Sequence, residues 1–404
     1  MPTNELSFNQ VATILQAIQN QATGVAAAAP VDTASFVASA QTVLKTGYEQ
    51  VYRAISTVLG RTIFSIRPYN RKFRGMEFSE SAFKLHTRKI QIGDSDFEDN
   101  DTADYPVFFD DDENPASGDG KSVDQQTIKK SPILQTNFYG INTYQNHYTL
   151  YDADTVLDVA FSNPEEMARF IQMIVTNMAN MFEQSRETLA RATIANLMGG
   201  IIDINDSSRI VHLLTEYNNL TGLSLTAQTV YQPANFAPFM RWAFSRIAAI
   251  SALMTERSEL YQQVVNNVHI MRHTPYEDQR VYLYAPAQFQ IEMQVLADTY
   301  HDNYLKLADN ETVNFWQAIR TPDSISVTPS YIGANGEVQT GDAVNQSGIF
   351  GIICDREAAG YTVLKSTIKP SPYNARSDYQ NFWLKDYQKS FVDHTEKSVI
   401  LLLD

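Results

Sequence analysis

The sequence predicts an α+β protein, because helical and strand-like patterns occupy separate stretches of its 404 residues. A long helical pattern covers Asn163–Met198. Strand-like segments occur at 61–93 and 139–151, and two short buried strands are predicted at 280–284 and, further on, at 349–355. A chain of this length can bury a large core, and its length suggests about two or three domains.

The stretch Asn163–Met198 is predicted to be one helix, around which the rest of the chain is organised. Asn163 can cap the first free amides, Pro164 suits the first helical position, and Glu166 completes a capping box. The two glycines at 199–200 are predicted to end it. The apolar face consists of Met167, Phe170, Ile171, Ile174, Met178, Met181, Leu189 and Leu197. The opposite face, expected to meet solvent or a neighbour, carries Arg169, Gln172, Asn180, Glu183, Arg186, Glu187 and Arg191.

The charge of the chain is unevenly distributed. Of the net charge of −15, the window from Asp94 to Asp119 holds eleven acidic residues and no lysine or arginine. This balance argues against tight sequence-specific nucleic-acid binding, which needs a basic surface. It does not exclude a protein that merely encloses nucleic acid.

Other features of the composition exclude several classes. Cys354 is the single cysteine, so there is no intrachain disulfide framework and no multi-thiolate metal site. No apolar run reaches the roughly 18–20 residues of a membrane helix, and the N-terminus lacks a secretory pattern. We therefore expect a chain that is made in the cytoplasm and does not enter a membrane.

The N-terminal region is predicted to hold two helices joined by a linker. Residues 7–19 place Phe8, Val11, Ile14, Leu15 and Ile18 on one face. The small residues of 22–30 form the linker, and a second helix is predicted from Asp32 or Thr33 to about Leu59. Two interpretations stay open: an arm that docks elsewhere, or a helical hairpin packed on its own domain.

A long excursion is predicted between the N-terminal helices and the long helix. Residues 61–67 and 83–92 alternate as strands do, the acidic and turn-rich stretch 94–124 forms the tip, and 139–151 returns as a strand. A lone two-stranded hairpin is marginally stable in water. We therefore expect it to lie on something else, and more often on another chain than on its own.

The C-terminal half is predicted to form an α/β unit with a small sheet. Helical patterns cover 236–266, with Leu253, Leu260 and Val264 predicted to face inward, and a helix is predicted from Ala285 to about Leu307. The remaining predictions are a strand at 324–328, a polar loop at 331–348, a turn at 356–360 and a core strand in the aromatic tail that ends at 397–403.

Two motifs suggest phosphate or cation binding, and both fail. Gly120-Lys121-Ser122 resembles the end of a phosphate-binding loop, but Pro115 stands where the first glycine is required. The acidic run from Asp94 has the carboxylate spacing of a calcium loop, but Asp99 replaces its glycine and Tyr105 its closing glutamate. A solvated, self-repelling loop is the preferred interpretation.

Candidate catalytic residues are equally few. His269 and His273 stand four residues apart, but no glutamate follows His269 and Pro275 would end a helix there. Cys354 lies in an apolar strand pattern and is predicted to be a small core residue. We predict no catalytic, cofactor-binding or metal-binding residues and no enzymatic activity.

The order of these parts resembles the major capsid proteins of tailed bacteriophages with the Hong Kong 97-type fold. The resemblance covers nearly the whole chain. The resemblance is clearest in two segments, Arg280–Pro286 leading into a helix and Phe350–Arg356. Both look like core strands of that family's axial domain. Tyr373–Trp383 looks like the strand that returns to the peripheral domain.

The resemblance implies a division of the chain. It gives an N-terminal arm at 1–75, an extended loop at 76–150 over a neighbouring subunit, a peripheral domain with the long helix at 151–200, an axial domain at 201–372 and a C-terminal strand at 373–404.

The resemblance also implies a function. The chain would self-assemble into hexamers and pentamers of an icosahedral head that encloses double-stranded DNA, after synthesis and assembly in the host bacterial cytoplasm. A separate scaffolding protein and a portal protein at one vertex would be partners. No membrane partner or cofactor is expected.

Some members of the family crosslink loop lysines to asparagines. Lys84, Lys89 and Lys121 lie near the loop, but nothing in the sequence identifies a crosslinking partner. Three alternative functions remain: an encapsulin-type compartment shell, a soluble α+β enzyme with an unrecognised site, and another phage structural component such as a tail or decoration protein.

Overall fold

A computed structural model describes the fold of most of the chain. The described residues are 7–46, 50–51, 54, 58, 71–78, 87–92, 133–138, 142–151, 162–266, 268–285, 310–372, 374, 376 and 379–404. The helices are α1 (Phe8–Thr23), α2 (Thr33–Leu44), α3 (Pro164–Ile204), α4 (Leu213–Thr221) and α5 (Pro233–Thr255). The strands up to residue 313 are β1 (Thr87–Ile92), β2 (Ile133–Phe138), β3 (Asn142–Tyr151), β4 (Ile210–His212), β5 (Gln279–Tyr284) and β6 (Asn310–Val313). The later strands are β7 (Ile325–Val327), β8 (Ser330–Ile332), β9 (Val338–Thr340), β10 (Val344–Gln346), β11 (Ile349–Asp355), β12 (Ala359–Pro370), β13 (Tyr379–Val392) and β14 (Ser398–Leu402).

The two N-terminal helices form a hairpin that packs on the rest of the chain. The predicted apolar face of α1 is buried, and Asp32 caps α2 by accepting from the Ser35 amide. Both helices share one core with the N-terminal half of α3 and with Phe382 and Leu384 of β13. Of the two open interpretations, the structure shows the packed hairpin. The helix predicted to reach Leu59 is described as α2 and as helical positions 50, 51, 54 and 58.

The long helix α3 is confirmed, but its predicted end is wrong. Asn163 accepts from the Glu166 amide at 2.8 Å, as the cap predicts. Gly199 and Gly200 lie inside the helix, which ends at Asn205 in the left-handed conformation. A Cβ at either glycine would collide with a neighbouring side chain, so these glycines permit close packing and do not stop the helix.

The prediction that the polar face of α3 meets solvent or a neighbour is wrong for part of that face. Glu187 and Arg191 are each only 6% exposed, because the segment 71–78 and the chain around Phe315 cover them. Arg169, near the start of the helix, does have an exposed side chain. The C-terminal half of α3 is therefore buried on more than one side.

A mixed five-stranded sheet with the order β4-β14-β11-β5-β6 lies between two helical layers. Alternate residues of β14 point to opposite faces: Val399 and Leu401 join the core beneath α4 and α5, whereas Ile400 and Leu402 join the core beneath α3. This double cover explains why every residue of β11 and β14 is buried. The predicted core strand at the C-terminus is confirmed.

The predicted excursion has a different strand pairing. β1 pairs with β2, a strand that the sequence did not predict, and they form a two-stranded antiparallel ribbon. β3, the predicted return strand, instead joins β13, and the three-stranded sheet has the order β12-β13-β3. The expectation that the return strand pairs with the outgoing one is therefore wrong, because the long strand β13 offers β3 a partner along its full length.

Three smaller predictions also need correction or lie outside the described residues. α5 ends at Thr255 and not near residue 266, and Leu253 and Leu260 are 42% and 38% exposed. The predicted polar loop at 331–348 contains β9 and β10 and most of β8. The strand at 61–67, the acidic stretch 94–124 and the helix from 286 to 307 lie outside the described residues.

Candidate functional site

The segment 71–78 crosses α3 and is fixed there by a network of charged side chains. The Arg71 guanidinium donates to both carboxylate oxygens of Glu183, pairs with Glu77, and donates from Nε to Tyr361 Oη at 2.9 Å. Burial alone would lower the pKa of Arg71, but Tyr361, Glu183 and Glu77 outweigh it and raise that pKa. The network ties three separate parts of the chain together: the crossing segment, α3 and β12.

A second network lies one helical turn further along α3. Arg191 pairs with Glu187 at 2.6 Å and places its guanidinium 3.6 Å from the centre of the Phe315 ring. The ring centre of Phe73 lies 5.3 Å from the same guanidinium. The backbone of Phe73 is left-handed (φ 60°), and the Phe73 amide donates to Glu311 at 2.7 Å. Phe73 holds this conformation, which is unusual for a non-glycine residue, because Glu311 and the aromatic packing fix it.

A cavity of about 540 Å³ opens beside the crossing segment, near the base of β1. Its lining includes Phe78, His273, Asp355, Arg356, Glu357 and Glu396. Arg356 stacks over Phe78 at 5.4 Å. Asp355 accepts from Thr274 Oγ1 and from the Glu357 amide, both at 2.7 Å, while burial raises its pKa. The described lining thus carries both charge signs, and its carboxylate Asp355 is held by hydrogen bonds. No nucleophile is placed beside a base among these lining residues.

The structure shows where the candidate catalytic residues lie. Cys354 is buried in β11, and burial raises its pKa to about 12, so its thiol is an inert core group, as predicted. His269 Nδ1 lies 2.7 Å from Glu259 Oε1 on an exposed surface, and His273 lines the cavity. The two histidines therefore do not form a common site.

Other predicted features are only partly described. Gly120-Lys121-Ser122, the acidic run from Asp94, Lys84 and Lys121 lie outside the described residues. Lys89 is described, and it pairs with carboxylates of Glu357, Asp393 and Glu396. Within the described part of the chain, no group of three or more His, Cys, Asp or Glu side chains could hold a metal ion. No described helix is long and apolar enough to cross a membrane.

Comparison with known families decides the identity. The family described as "Phi29-like phage major capsid protein" matches residues 101–402, which is most of the chain. The chain belongs to this family. Its function is therefore to form a phage capsid, its role is structural, and capsid subunits assemble into a multi-subunit shell. No curated protein matches the sequence.

Solved structures support the fold. The chain is similar to the capsid structure of Staphylococcus phage Andhra, with a TM-score of 0.54 and 11% identity over 85% of this chain and 87% of that chain. It is also similar to a structure described as the head fiber and inner core protein gp22 of native bacteriophage P68, with a TM-score of 0.52, 10% identity and the same two coverages. The predicted α+β fold of the Hong Kong 97 type is confirmed.

The residues that hold the capsid fold together at the crossing could hardly be predicted from the sequence. Glu183, Glu187 and Arg191 were visible only as polar positions on a helix face. Arg71 and Phe73 carried no local signal for this contact, because Glu183 and Glu311, which bind them, stand more than one hundred residues away in sequence. The one available signal was that the charged face of a predicted helix could pair with a basic segment far away in sequence.

Proposed function

We propose that the chain self-assembles into hexamers and pentamers of an icosahedral phage head that encloses double-stranded DNA. The observation that carries the proposal is the family match across residues 101–402. The described fold supports it, because α3 packs into two separate cores and so joins the N-terminal helices to the five-stranded sheet in one subunit. Identical subunits of one fold can repeat the same contacts in a closed, symmetric assembly.

We further propose a division into structural regions. The five-stranded sheet with α4 and α5 would form the axial domain, and the three-stranded sheet with α3 would form the peripheral domain. The strand β14 belongs to the five-stranded sheet, so the C-terminal tail would serve both domains. The proposed regions are 1–75 (arm), 76–150 (extended loop), 151–200 (peripheral domain), 201–372 (axial domain) and 373–404 (returning strand). Two strands would cross these boundaries, because β3 at the end of the extended loop and β12 at the end of the axial region both belong to the three-stranded sheet.

The proposed partners follow from the same role. A separate scaffolding protein would guide assembly in the host bacterial cytoplasm, and a portal protein would occupy one vertex. The net charge of −15 supports enclosure of DNA without sequence-specific binding, because like charges repel at short range. We propose no enzymatic activity and no cofactor.

Electron microscopy of the chain expressed with and without a candidate scaffolding protein tests this proposal. We expect closed shells of icosahedral symmetry, and we expect shells isolated from infected cells to contain DNA. Shells filled with protein would instead favour a compartment of the encapsulin type. A monomer at micromolar concentration in light scattering, with or without scaffolding protein, would contradict shell formation and favour the soluble-enzyme alternative.

A further inference from the structure

Two side chains of β1 reach into a cluster of charged residues on their own subunit. Lys89 Nζ lies 3.2 Å from Asp393 Oδ2 and 3.0 Å from Glu357 Oε2, and it also pairs with Glu396. Gln91 lies two residues further along, on the same face of the strand, and donates to Glu396 Oε1 at 3.2 Å. The inward face of β1 is therefore bound by carboxylates.

This polar attachment contrasts with the packed cores of the rest of the subunit. Within the described part of the chain, β1 and β2 pair only with each other and form the two-stranded β1–β2 ribbon. Ile90, between the two bound side chains, is 51% exposed. Because a two-stranded ribbon is marginally stable alone, contacts to a surface decide where it lies. Here the contacts of β1 are charged and hydrogen-bonded.

The carboxylates of the cluster have a second set of cations. Arg272 pairs with the same Glu396 oxygen, Oε1, that Lys89 contacts. Arg209 is fully buried and donates from Nε to the Ser398 carbonyl at 3.2 Å, but its Nη1 has no hydrogen-bond partner among the described residues. Asp393 Oδ2 likewise accepts no hydrogen bond there, and the Arg209 charge acts on Asp393. Without Lys89, Arg272 therefore still pairs with Glu396 and the charge of Arg209 still acts on Asp393, while the Glu357 side chain is 61% exposed to solvent.

The charge state of the cluster makes it an ion-pair site and not a reactive one. Burial alone lowers the pKa of Lys89, but Asp393 and Glu396 outweigh burial and raise that pKa. Burial alone raises the pKa of Asp393, but Lys89 and Thr395 outweigh it and lower that pKa. Both groups are therefore charged at neutral pH. A protonated amine is not a nucleophile, so the geometry favours binding over covalent crosslinking at this site.

We propose that Lys89 and the carboxylates of Glu357, Asp393 and Glu396 form a releasable clamp that holds the β1–β2 ribbon on its own subunit. When Lys89 leaves, Arg272 stays paired with Glu396, and the charges of Arg272 and Arg209 still act on the buried Asp393. Glu357 is exposed to solvent, so release does not leave a buried negative charge without nearby cations. The released ribbon then lies on a second copy of the chain. This last step rests on the proposed shell assembly, whereas the clamp itself is a property of the single subunit.

Hydrogen–deuterium exchange of the unassembled full-length chain tests the clamp. Lys89→Met keeps the side-chain length and removes the charge, and we expect amides of β1 and β2 to exchange about tenfold faster, because hydrogen bonds to charged groups are lost. In the wild type, raising NaCl from about 0.1 to about 1 M shortens the screening length from about 10 to about 3 Å and speeds the same amides. Lys89→Met removes this salt response.

Two controls accompany this experiment. Lys365→Met makes the same change at an exposed lysine of β12 and leaves the ribbon amides unchanged. Exchange in β11 and β14 reports global unfolding and stays as slow in Lys89→Met as in the wild type. Equal protection of the ribbon in Lys89→Met and the wild type would overturn the clamp.

Crosslinking tests the release. Lys89→Cys combined with Glu396→Cys is joined by a short bismaleimide in one sample, and in the other both thiols are capped with N-ethylmaleimide, which removes the same charges but leaves the ribbon free. The native Cys354 is buried and does not react. We expect capped subunits to form shells and crosslinked subunits to fail. Equal assembly of both samples would overturn release. If the wild-type chain itself did not assemble, the proposed function would fail, whereas the exchange result would still decide the clamp.

Discussion

At the scale of single residues, this subunit uses buried charge to join distant parts of the chain. Arg71 and Arg191 each bind a carboxylate of α3 and also contact groups far away in sequence, Tyr361 and Phe315 respectively. Removing one member of such a pair leaves the other charge buried without a partner. The sequence places Glu183, Glu187 and Arg191 on a helix face, but helical periodicity does not report which other segment covers that face.

Arg191→Met tests the importance of this pairing. It removes the guanidinium that binds Glu187 and stacks on Phe315, so we expect the free energy of unfolding to fall by about 3–5 kcal/mol in urea titrations of the unassembled subunit. Arg191→Lys restores only part of this loss, since an ammonium cannot stack as a planar guanidinium does. Arg169→Met, at an exposed position of the same helix, should change it by less than about 0.5 kcal/mol. A similar small effect of Arg191→Met would contradict this account.

His394 predicts a pH dependence of stability. It is 3% exposed, donates from Nε2 to the Leu197 carbonyl at 3.2 Å, and has a pKa lowered to about 3, mainly by burial and further by Arg209. In the unfolded chain its pKa is about 6.5, so below that pH the unfolded state binds a proton that the folded state does not. This contribution to stability is present above pH 6.5 and is lost as the pH falls toward 3.

The measurement compares the wild type with His394→Asn, which does not titrate in this range. Between pH 6 and 5, the free energy of unfolding of the wild type should fall more steeply than that of the variant, by at most about 1.4 kcal/mol per pH unit. Parallel curves for the two proteins would show that His394 does not bind a proton on unfolding.

At the scale of elements, the start of α3 was predicted correctly, whereas its end was predicted wrongly. Its cap at Asn163 and its apolar repeat are local signals, and the cap is confirmed. The repeat is confirmed at Met167, Phe170, Met178, Leu189 and Leu197, whereas the side chains of 171–175 lie outside the described part of the chain. The predicted end of α3 was too early, because the two glycines at 199–200 allow close tertiary packing and do not end the helix. Gly200 faces the ring of His394, and a Cβ there would overlap it. Local sequence cannot distinguish a glycine that ends a helix from one that admits a neighbour.

Gly200→Ala tests this explanation. The added methyl group meets the His394 ring, so we expect a loss of about 1–3 kcal/mol in the free energy of unfolding. In a His394→Ala background the same substitution should stabilise the protein by up to about 1 kcal/mol, because alanine is the better helix former. Gly75→Ala is the matched control, since its Cβ would make only ordinary contacts with Arg280, the nearest at 3.6 Å. The same loss in the presence and absence of the His394 ring would refute the packing explanation.

Strands show the same division between local and distant information. The apolar runs of β11 and β14 predict buried strands, and both are buried. The partner of β3 was mispredicted because pairing with β13 joins segments more than two hundred residues apart, and no local pattern specifies that choice. β2 was missed since its sequence, Ile133–Phe138, alternates only weakly.

At the scale of the whole molecule, the order of parts was more informative than any motif. No single segment is diagnostic, yet the succession of N-terminal helices, excursion, long helix, α/β unit and returning strand indicated the family that residues 101–402 match. The charged contacts at the 71–78 crossing and at Lys89 could not be predicted. They depend on the relative placement of segments that only the complete fold brings together.

Electron cryomicroscopy of particles assembled from the purified chain, with and without a candidate scaffolding protein, tests the central claim most directly. The account predicts closed icosahedral shells in which hexamers and pentamers of this chain form the wall and α3 runs through each subunit as one continuous helix. A chain that stays monomeric at micromolar concentration under these conditions, or a wall built from a different protein, would contradict it.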